Sequence, residues 1–281
     1  MTRLVLITVA AASLLFGTAT AFAQQKINYR VSTYIKIAPD KEVAGMEFIR
    51  TSGMKLIQEM VSSGRLASYA LLRLAYSGVP AADYNYVQVI DFDGAPPEAM
   101  NPATRDQLYR KTTGLSYAEY QQKLATFRSV VGTVLSRVEA RAPGSQLAEG
   151  NYVRTAGWKI TPMRGGDYGR YLQKMLLPLN SEAVKEGRFV GWNASRTSYP
   201  AGSGVAYDAT TSHVFKDLAS ALPTTPSSPD QEQASFNKLF PEQSFKTFED
   251  ENWAVRRAVR VDLWRVVTVA GQGRAATNSS R

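Results

Sequence analysis

Apolar and polar positions change period several times along this chain, and the changes recur. Over residues 29–37 they alternate, with Tyr29, Val31, Thr33, Ile35 and Ile37 on one side, which predicts a half-buried strand. Pro39-Asp40 breaks the alternation. Met46, Ile49, Gly53, Leu56, Ile57, Met60 and Val61 then recur at helical spacing and outline one apolar face. Gly64 stands where a glycine lets a helix end through a left-handed turn. Strands are predicted over 66–76 and 84–92, with Ser77-Gly78-Val79-Pro80 joining them as a hairpin.

The same succession returns at a constant spacing of 123 residues. Lys36-Ile37-Ala38-Pro39 becomes Lys159-Ile160-Thr161-Pro162, Gly64-Arg65 becomes Gly187-Arg188, and Tyr84-Asn85-Tyr86 becomes Tyr207-Asp208-Ala209. The second copy therefore has a strand over 152–160, a helix over 167–185 and strands over 189–199 and 206–215. Later residues match at a spacing of 128: Ser116-Tyr117 with Ser244-Phe245, Arg128 with Arg256, and Leu135, Arg137 and Val138 with Leu263, Arg265 and Val266. The five extra residues fit a Pro/Ser/Thr-rich loop over 222–229. Second helices over 117–127 and 245–255 and fourth strands over 132–140 and 260–268 complete the copies.

A repeat of this length sets the architecture before any local motif does. Its unit reads β-α-β-β-α-β, the ferredoxin-like split arrangement with two helices on one face of an antiparallel sheet. The bare face needs a partner, and the other copy can supply it. The expected fold is α+β: two tandem ferredoxin-like repeats, 27–145 and 150–270, packed sheet to sheet as a pseudo-dimeric α+β barrel. The segment Leu56-x-x-Glu59-x-Val61-x-x-Gly64-Arg65-x-x-x-Tyr69 resembles the corresponding part of NIPSNAP-like and antibiotic-monooxygenase-like members of the dimeric α+β barrel superfamily. It resembles more closely still exported bacterial proteins built as tandem repeats. The resemblance covers almost all of the mature chain, and its motifs specify fold rather than chemistry.

The first residues add a compartment. Arg3, the apolar stretch 4–16 and Ala21-Phe22-Ala23 read as a secretory signal over 1–23, so the expected location is periplasmic or secreted. Removing Arg3 lowers the formal charge from +9 to +8. The basic residues are scattered and form no nucleic-acid motif. No membrane insertion is expected after signal cleavage, and 271–281 is expected to be a disordered tail. The chain lacks cysteine, which excludes disulfides and thiolate metal sites.

His213 is the single histidine, and Ile90 is its counterpart in the first copy, so a multi-histidine metal site is excluded. Arg73 and Arg196 are equivalent, each with an aromatic residue (Tyr69, Trp192) four positions earlier on the same strand face, and Arg137 pairs with Arg265. If these side chains face the space between the sheets, they line it with cations and aromatic rings suited to a small hydrophobic or anionic ligand. Their alternative is pairing with Glu59 and Glu182, or lying along the sheet edges. P-loop, dinucleotide and nucleophile-elbow signatures are absent. The leading expectation is a non-catalytic binding module for a small ligand or protein partner, without cofactor, as a monomeric pseudo-dimer or homo-oligomer. The superfamily resemblance implies an alternative: a haem-dependent or cofactor-free oxidoreductase or isomerase centred on His213. Beside His213, the features without a matching counterpart are Trp192 against Tyr69 and the longer 222–229 loop.

Overall fold

The alternating segments pair edge to edge until no edge is left. The computed structural model describes residues 28–78, 82–200, 206–222 and 229–271. Its strands are β1 (Asn28–Ile37), β2 (Ser68–Tyr76), β3 (Tyr86–Phe92), β4 (Arg128–Arg141), β5 (Tyr152–Ile160), β6 (Gly191–Tyr199), β7 (Ala209–Phe215) and β8 (Arg256–Ala270). They form a closed antiparallel barrel in the order β1-β3-β2-β8-β5-β7-β6-β4. The proposed signal, most of the 222–229 loop and most of the tail lie outside the described residues.

Closure depends on the last strand of each half. The N-terminal part of β4 pairs with β1, and its C-terminal part pairs with β6 of the other half. β8 does the same with β5 and then β2. Both run well beyond the nine residues that alternation predicts, and each carries register shifts where partners change. A bulge bends a strand and strengthens its twist, which suits it to turning a corner between sheets. The eight strands therefore form one continuous sheet, closed through two seams, β4–β6 and β2–β8. Such closure removes the exposed edges that invite aggregation.

Helices cover the outside. The first predicted helix is α1 (Glu42–Phe48) and α2 (Met54–Ser62) on either side of a π turn at Ile49–Gly53. Gly64 follows with φ of 73°, as its place after the helix requires. Next come α3 (Pro102–Thr113) and α4 (Tyr117–Ala125), the latter begun by a capping box between Ser116 and Glu119. The second half has α5 (Gly165–Tyr171), a π turn at Leu172–Leu176, α6 (Leu177–Lys185), α7 (Leu218–Ala221), α8 (Pro229–Leu239) and α9 (Phe245–Val255). Among the described residues no helix is long and apolar enough to cross a membrane.

Apolar side chains sort by strand parity. Outward residues such as Ile35, Ile37, Tyr69 and Leu71 pack with Ile49 and Met54 under the first helices. Tyr168, Tyr171, Leu172, Trp192, Phe236 and Phe248 form the matching cluster of the second half. A third cluster, with Ala70, Leu72, Tyr84, Val87, Val153, Val214 and Trp264, belongs to the barrel interior. The side of β1 that carries Arg30, Ser32 and Tyr34 faces this interior and not solvent.

Candidate functional site

Inside the barrel lies a chamber of about 120 Å³. That is close to the size of an apolar cavity that holds one benzene-sized molecule. Its middle is a belt of Ala70, Leu72, Val87, Val89, Val153 and Val214, interrupted by the hydroxyls of Ser32, Ser136, Thr155 and Ser212. Polar groups gather at two levels, marked by Arg30 and Tyr34 on β1. Four residues of strand separate these by about 13 Å.

At the first level Asp91 is the hub. Arg30 donates from Nε and Nη2 to Asp91 Oδ1 and Oδ2 at 2.7 and 3.0 Å, and from Nη1 to Asn193 Oδ1 at 2.7 Å. Arg141 Nη2 donates to Asp91 Oδ2 at 2.8 Å, and Ser68 Oγ approaches the same oxygen at 3.3 Å. Burial alone would raise the Asp91 pKa, but the two guanidiniums outweigh it and pull the value down to about 2. The hub stays anionic and fully paired, tying β1 and β3 to β4 and β6.

At the second level the groups are less fully used. Tyr34 and Tyr207 share a hydroxyl–hydroxyl hydrogen bond of 2.7 Å. Burial drives both phenols well above their ordinary pKa, so they remain protonated donors. Asp262 accepts from Arg260 Nε at 2.6 Å, from the Gly78 backbone N–H at 3.0 Å and from Tyr84 Oη at 3.4 Å. That fixes the Arg260 guanidinium beside the Tyr84 ring, 4.8 Å from its centroid. Arg260 Nη2 is buried and has no hydrogen-bond partner among the described residues. A buried donor without an acceptor costs on the order of 1–3 kcal/mol, and a bound oxygen would relieve it.

These groups stand at positions that the repeat does not share. Counterparts of Arg30, Asp91 and Arg141 are Val153, Val214 and Val269, and that of Asn193 is Ala70. Tyr34 corresponds to Gly157, Arg260 to Gly132 and Asp262 to Val134. Tyr84 and Tyr207 are the exception, one from each copy, and both turn into the barrel. Sequence reasoning passed over every one of these residues as part of a site, although comparing the two copies on the second face of each strand would have found them.

The seven residues expected to form a lining do not reach the chamber as a group, because their strand parity turns their side chains outward. Tyr69 packs under the first helices. Trp192 borders the chamber, but its indole belongs to the helix-side cluster of the second half. Arg73 pairs with Glu42 at 3.0 Å, while Glu139 takes both Arg137 at 2.6 Å and Arg196 at 3.1 Å. Arg265 lies opposite Arg73 on the outer wall. Glu59 and Glu182, the partners expected for these arginines, are bound by Lys111 and Lys238.

His213 also faces outward. Its Nε2 meets Asn180 Oδ1 of α6 at 3.2 Å, and its ring lies between Phe189, edge-on at 5.0 Å, and Phe215 at 6.5 Å. A haem ligand needs a free nitrogen and a slot for the macrocycle beside it. His213 lines neither the chamber nor the outer cleft beside Arg265, so it does not fit that role. Among the described residues no cluster of His, Asp and Glu is placed to hold a metal ion. Burial, assisted by Arg154 and Arg256, lowers the His213 pKa to about 3. An unfolded histidine takes up its proton below about pH 6.5, whereas this one resists until about pH 3, so stability is lost as pH falls between those values. Thermal melts should show a falling Tm from pH 7 to 4, with a smaller fall in His213→Gln. Equal slopes would show that His213 titrates freely.

No protein-family model matches the chain, and no curated protein matches it in sequence. Solved structures match in fold. A candidate monooxygenase of Fusobacterium nucleatum superposes with a TM-score of 0.53 at 8% identity, over 89% of this chain and 95% of that one. A candidate monooxygenase of Lactobacillus acidophilus gives 0.48 at 11% identity, over 89% and 98%. A haem-binding protein of Thermus thermophilus gives 0.44 at 8% identity, over 86% and 92%. Structures of this kind are dimeric α+β barrels, and at such identities the likeness is one of fold. The fold is thus shared with a structure described as a candidate monooxygenase, and the expectation of a non-catalytic module without a cofactor is withdrawn.

Proposed function

We propose that this protein is an oxidoreductase of the dimeric α+β barrel kind, acting on a small phenol or enolisable carbonyl compound held in the barrel chamber. The observation that carries the reading is Arg260: a guanidinium fixed by Asp262, with a buried Nη2 lacking an acceptor, beside two protonated tyrosines. Fixed donors around a developing oxyanion stabilise it strongly in a site shielded from water. The valine belt and the Trp264 ring suit the apolar body of a molecule about as large as benzene. Bound as its anion, such a substrate gives up electrons to dioxygen more readily, so a site that favours the anion favours oxidation. The shared fold with a candidate monooxygenase supports this reading.

The test measures oxygen uptake with a panel of small phenols and β-dicarbonyl compounds, with and without added haemin, on wild type and Arg260→Met. Substrate-dependent uptake that the variant abolishes is the expected result. Uptake absent throughout, or unchanged in Arg260→Met, would sink the assignment.

The barrel is further proposed to be a tandem fusion of two ferredoxin-like βαββαβ units, 27–145 and 150–270. Support comes from the recurring spacing and from the parallel strand orders β4-β1-β3-β2 and β8-β5-β7-β6. Export is proposed from the leader over 1–23. N-terminal sequencing of the mature protein should begin at Gln24, and an intact Met1 would refute cleavage.

A further inference from the structure

Barrel closure brings arginines face to face at both seams. Arg137 lies directly opposite Arg196 between β4 and β6, and Arg73 opposite Arg265 between β2 and β8. Like charges in register across a sheet are destabilising unless something neutralises them. At the β4–β6 seam the neutralising group is Glu139, whose Oε1 is 2.6 Å from Arg137 Nη2 and 3.1 Å from Arg196 Nε. Glu139 occupies the register shift of β4, where a bulge turns its carboxylate between the two cations.

At the β2–β8 seam the residue at the equivalent shift is Val267. Glu42 answers Arg73 at 3.0 Å and accepts from Tyr86 Oη at 2.5 Å. Arg265 is left over: among the described residues no carboxylate lies within ion-pair distance of it, or of nearby Arg50. The space is left over too. In the second half Gly165 of α5 comes down onto the seam, its carbonyl accepting from Arg196 Nη2 at 3.1 Å. In the first half the corresponding region is an open cleft of about 640 Å³ on the outer wall. Arg50, Arg73 and Arg265 supply its cations, and Val43, Met46 and Val267 its apolar surface.

We infer that this outer cleft binds the carboxylate of a small amphiphilic acid, which takes the place that Glu139 fills at the other seam. A guanidinium receives a carboxylate through two parallel N–H donors. The acid's hydrocarbon body would lie along Met46, Val267 and the exposed Val43. Glu47 and Glu149 also border the cleft, and their charges favour a single carboxylate over a dianion such as phosphate. The site stands apart from the chamber, on the opposite side of the barrel wall.

Isothermal titration of the full mature chain with hexanoate, benzoate, acetate and inorganic phosphate tests this. Hexanoate or benzoate should bind at least tenfold more tightly than acetate, and phosphate should give no heat. Val267→Glu builds the missing carboxylate into the wall, so it should weaken hexanoate at least tenfold while raising Tm. Arg265→Gln should weaken hexanoate similarly without raising Tm, and it decides the matter if Val267→Glu fails to fold. Wild type that ignores both hexanoate and benzoate overturns the inference. So does phosphate binding as tightly as hexanoate, or full hexanoate affinity in a folded Val267→Glu or Arg265→Gln protein.

Discussion

Asp91→Ala should lower the free energy of unfolding by about 3–5 kcal/mol, the usual cost of removing one partner from a buried ion pair. The size follows from what remains. Arg30 is only 13% exposed at its side chain and would keep a single side-chain acceptor, Asn193 Oδ1. Arg141, half exposed, can turn to water and loses less. The second copy shows how to repair the defect, because its counterparts of these three residues are valines. The triple variant Arg30→Val, Asp91→Val, Arg141→Val should therefore recover most of the loss, since apolar packing commonly matches or exceeds a buried ionic cluster. Urea denaturation of the single and triple variants checks both statements. A loss below about 1 kcal/mol for Asp91→Ala would show that the trio is not buried as described. The same hub sets an acid limit. Its carboxyl titrates near pH 2 in the fold and near 3.9 in the open chain, so it contributes about 2 kcal/mol above pH 4. That contribution disappears as pH falls from about 4 to 2.

If a wholly apolar version of this cluster is as stable as the ionic one, stability is not the reason for its charges. That makes the inward polar positions functional candidates, and it explains why they were hard to read. Periodicity placed β5 and α9 at their observed ends, because alternation and helical spacing there are uninterrupted. It missed α3, whose sequence offers only Leu108 and Tyr109 to a core, and it missed the π turns, which leave the apolar stripe almost unchanged. It also cut β4 and β8 short, chiefly at their starts, where residues 128–130 and 256–258 pair with β1 and β5 of their own halves. The site was lost to a subtler ambiguity. A polar side on a strand means solvent in an open sheet and interior in a closed barrel, and one strand looks alike in both. Arg30, Ser32 and Tyr34 form such a polar side along β1. What marks them is the other copy: Val153 for Arg30 and Val214 for Asp91 are not what a solvent-facing side would carry. Residues present in both copies, such as Arg73 and Arg196, hold the seams instead.

Arg260→Met is expected to reduce kcat/KM for the oxidised substrate by 10² to 10³, roughly what removal of one oxyanion donor costs. Methionine keeps much of the stem's apolar contact with Tyr84 and removes only the charge and its donors. Arg260→Lys should recover little. An ammonium can replace the bond to Asp262 or offer a donor to the substrate, but it lacks the planar fork that does both at once. Asp262 touches Arg260, Tyr84 and the Gly78 N–H, and it acts by holding the guanidinium in place. Asp262→Asn should therefore lower kcat more than it raises KM, since the donor remains but loses its aim. Tyr34→Phe removes one of the paired hydroxyls and should cost about tenfold, because Tyr207 is then free to donate alone. The order matters more than any single figure: Arg260 first, Asp262 next, Tyr34 last, with His213→Gln at wild-type rate because its ring lies on the other side of the wall. A folded Arg260→Met within threefold of wild type would remove the chamber from the chemistry. A His213→Gln protein as inactive as Arg260→Met would move the chemistry to the helix side of the sheet.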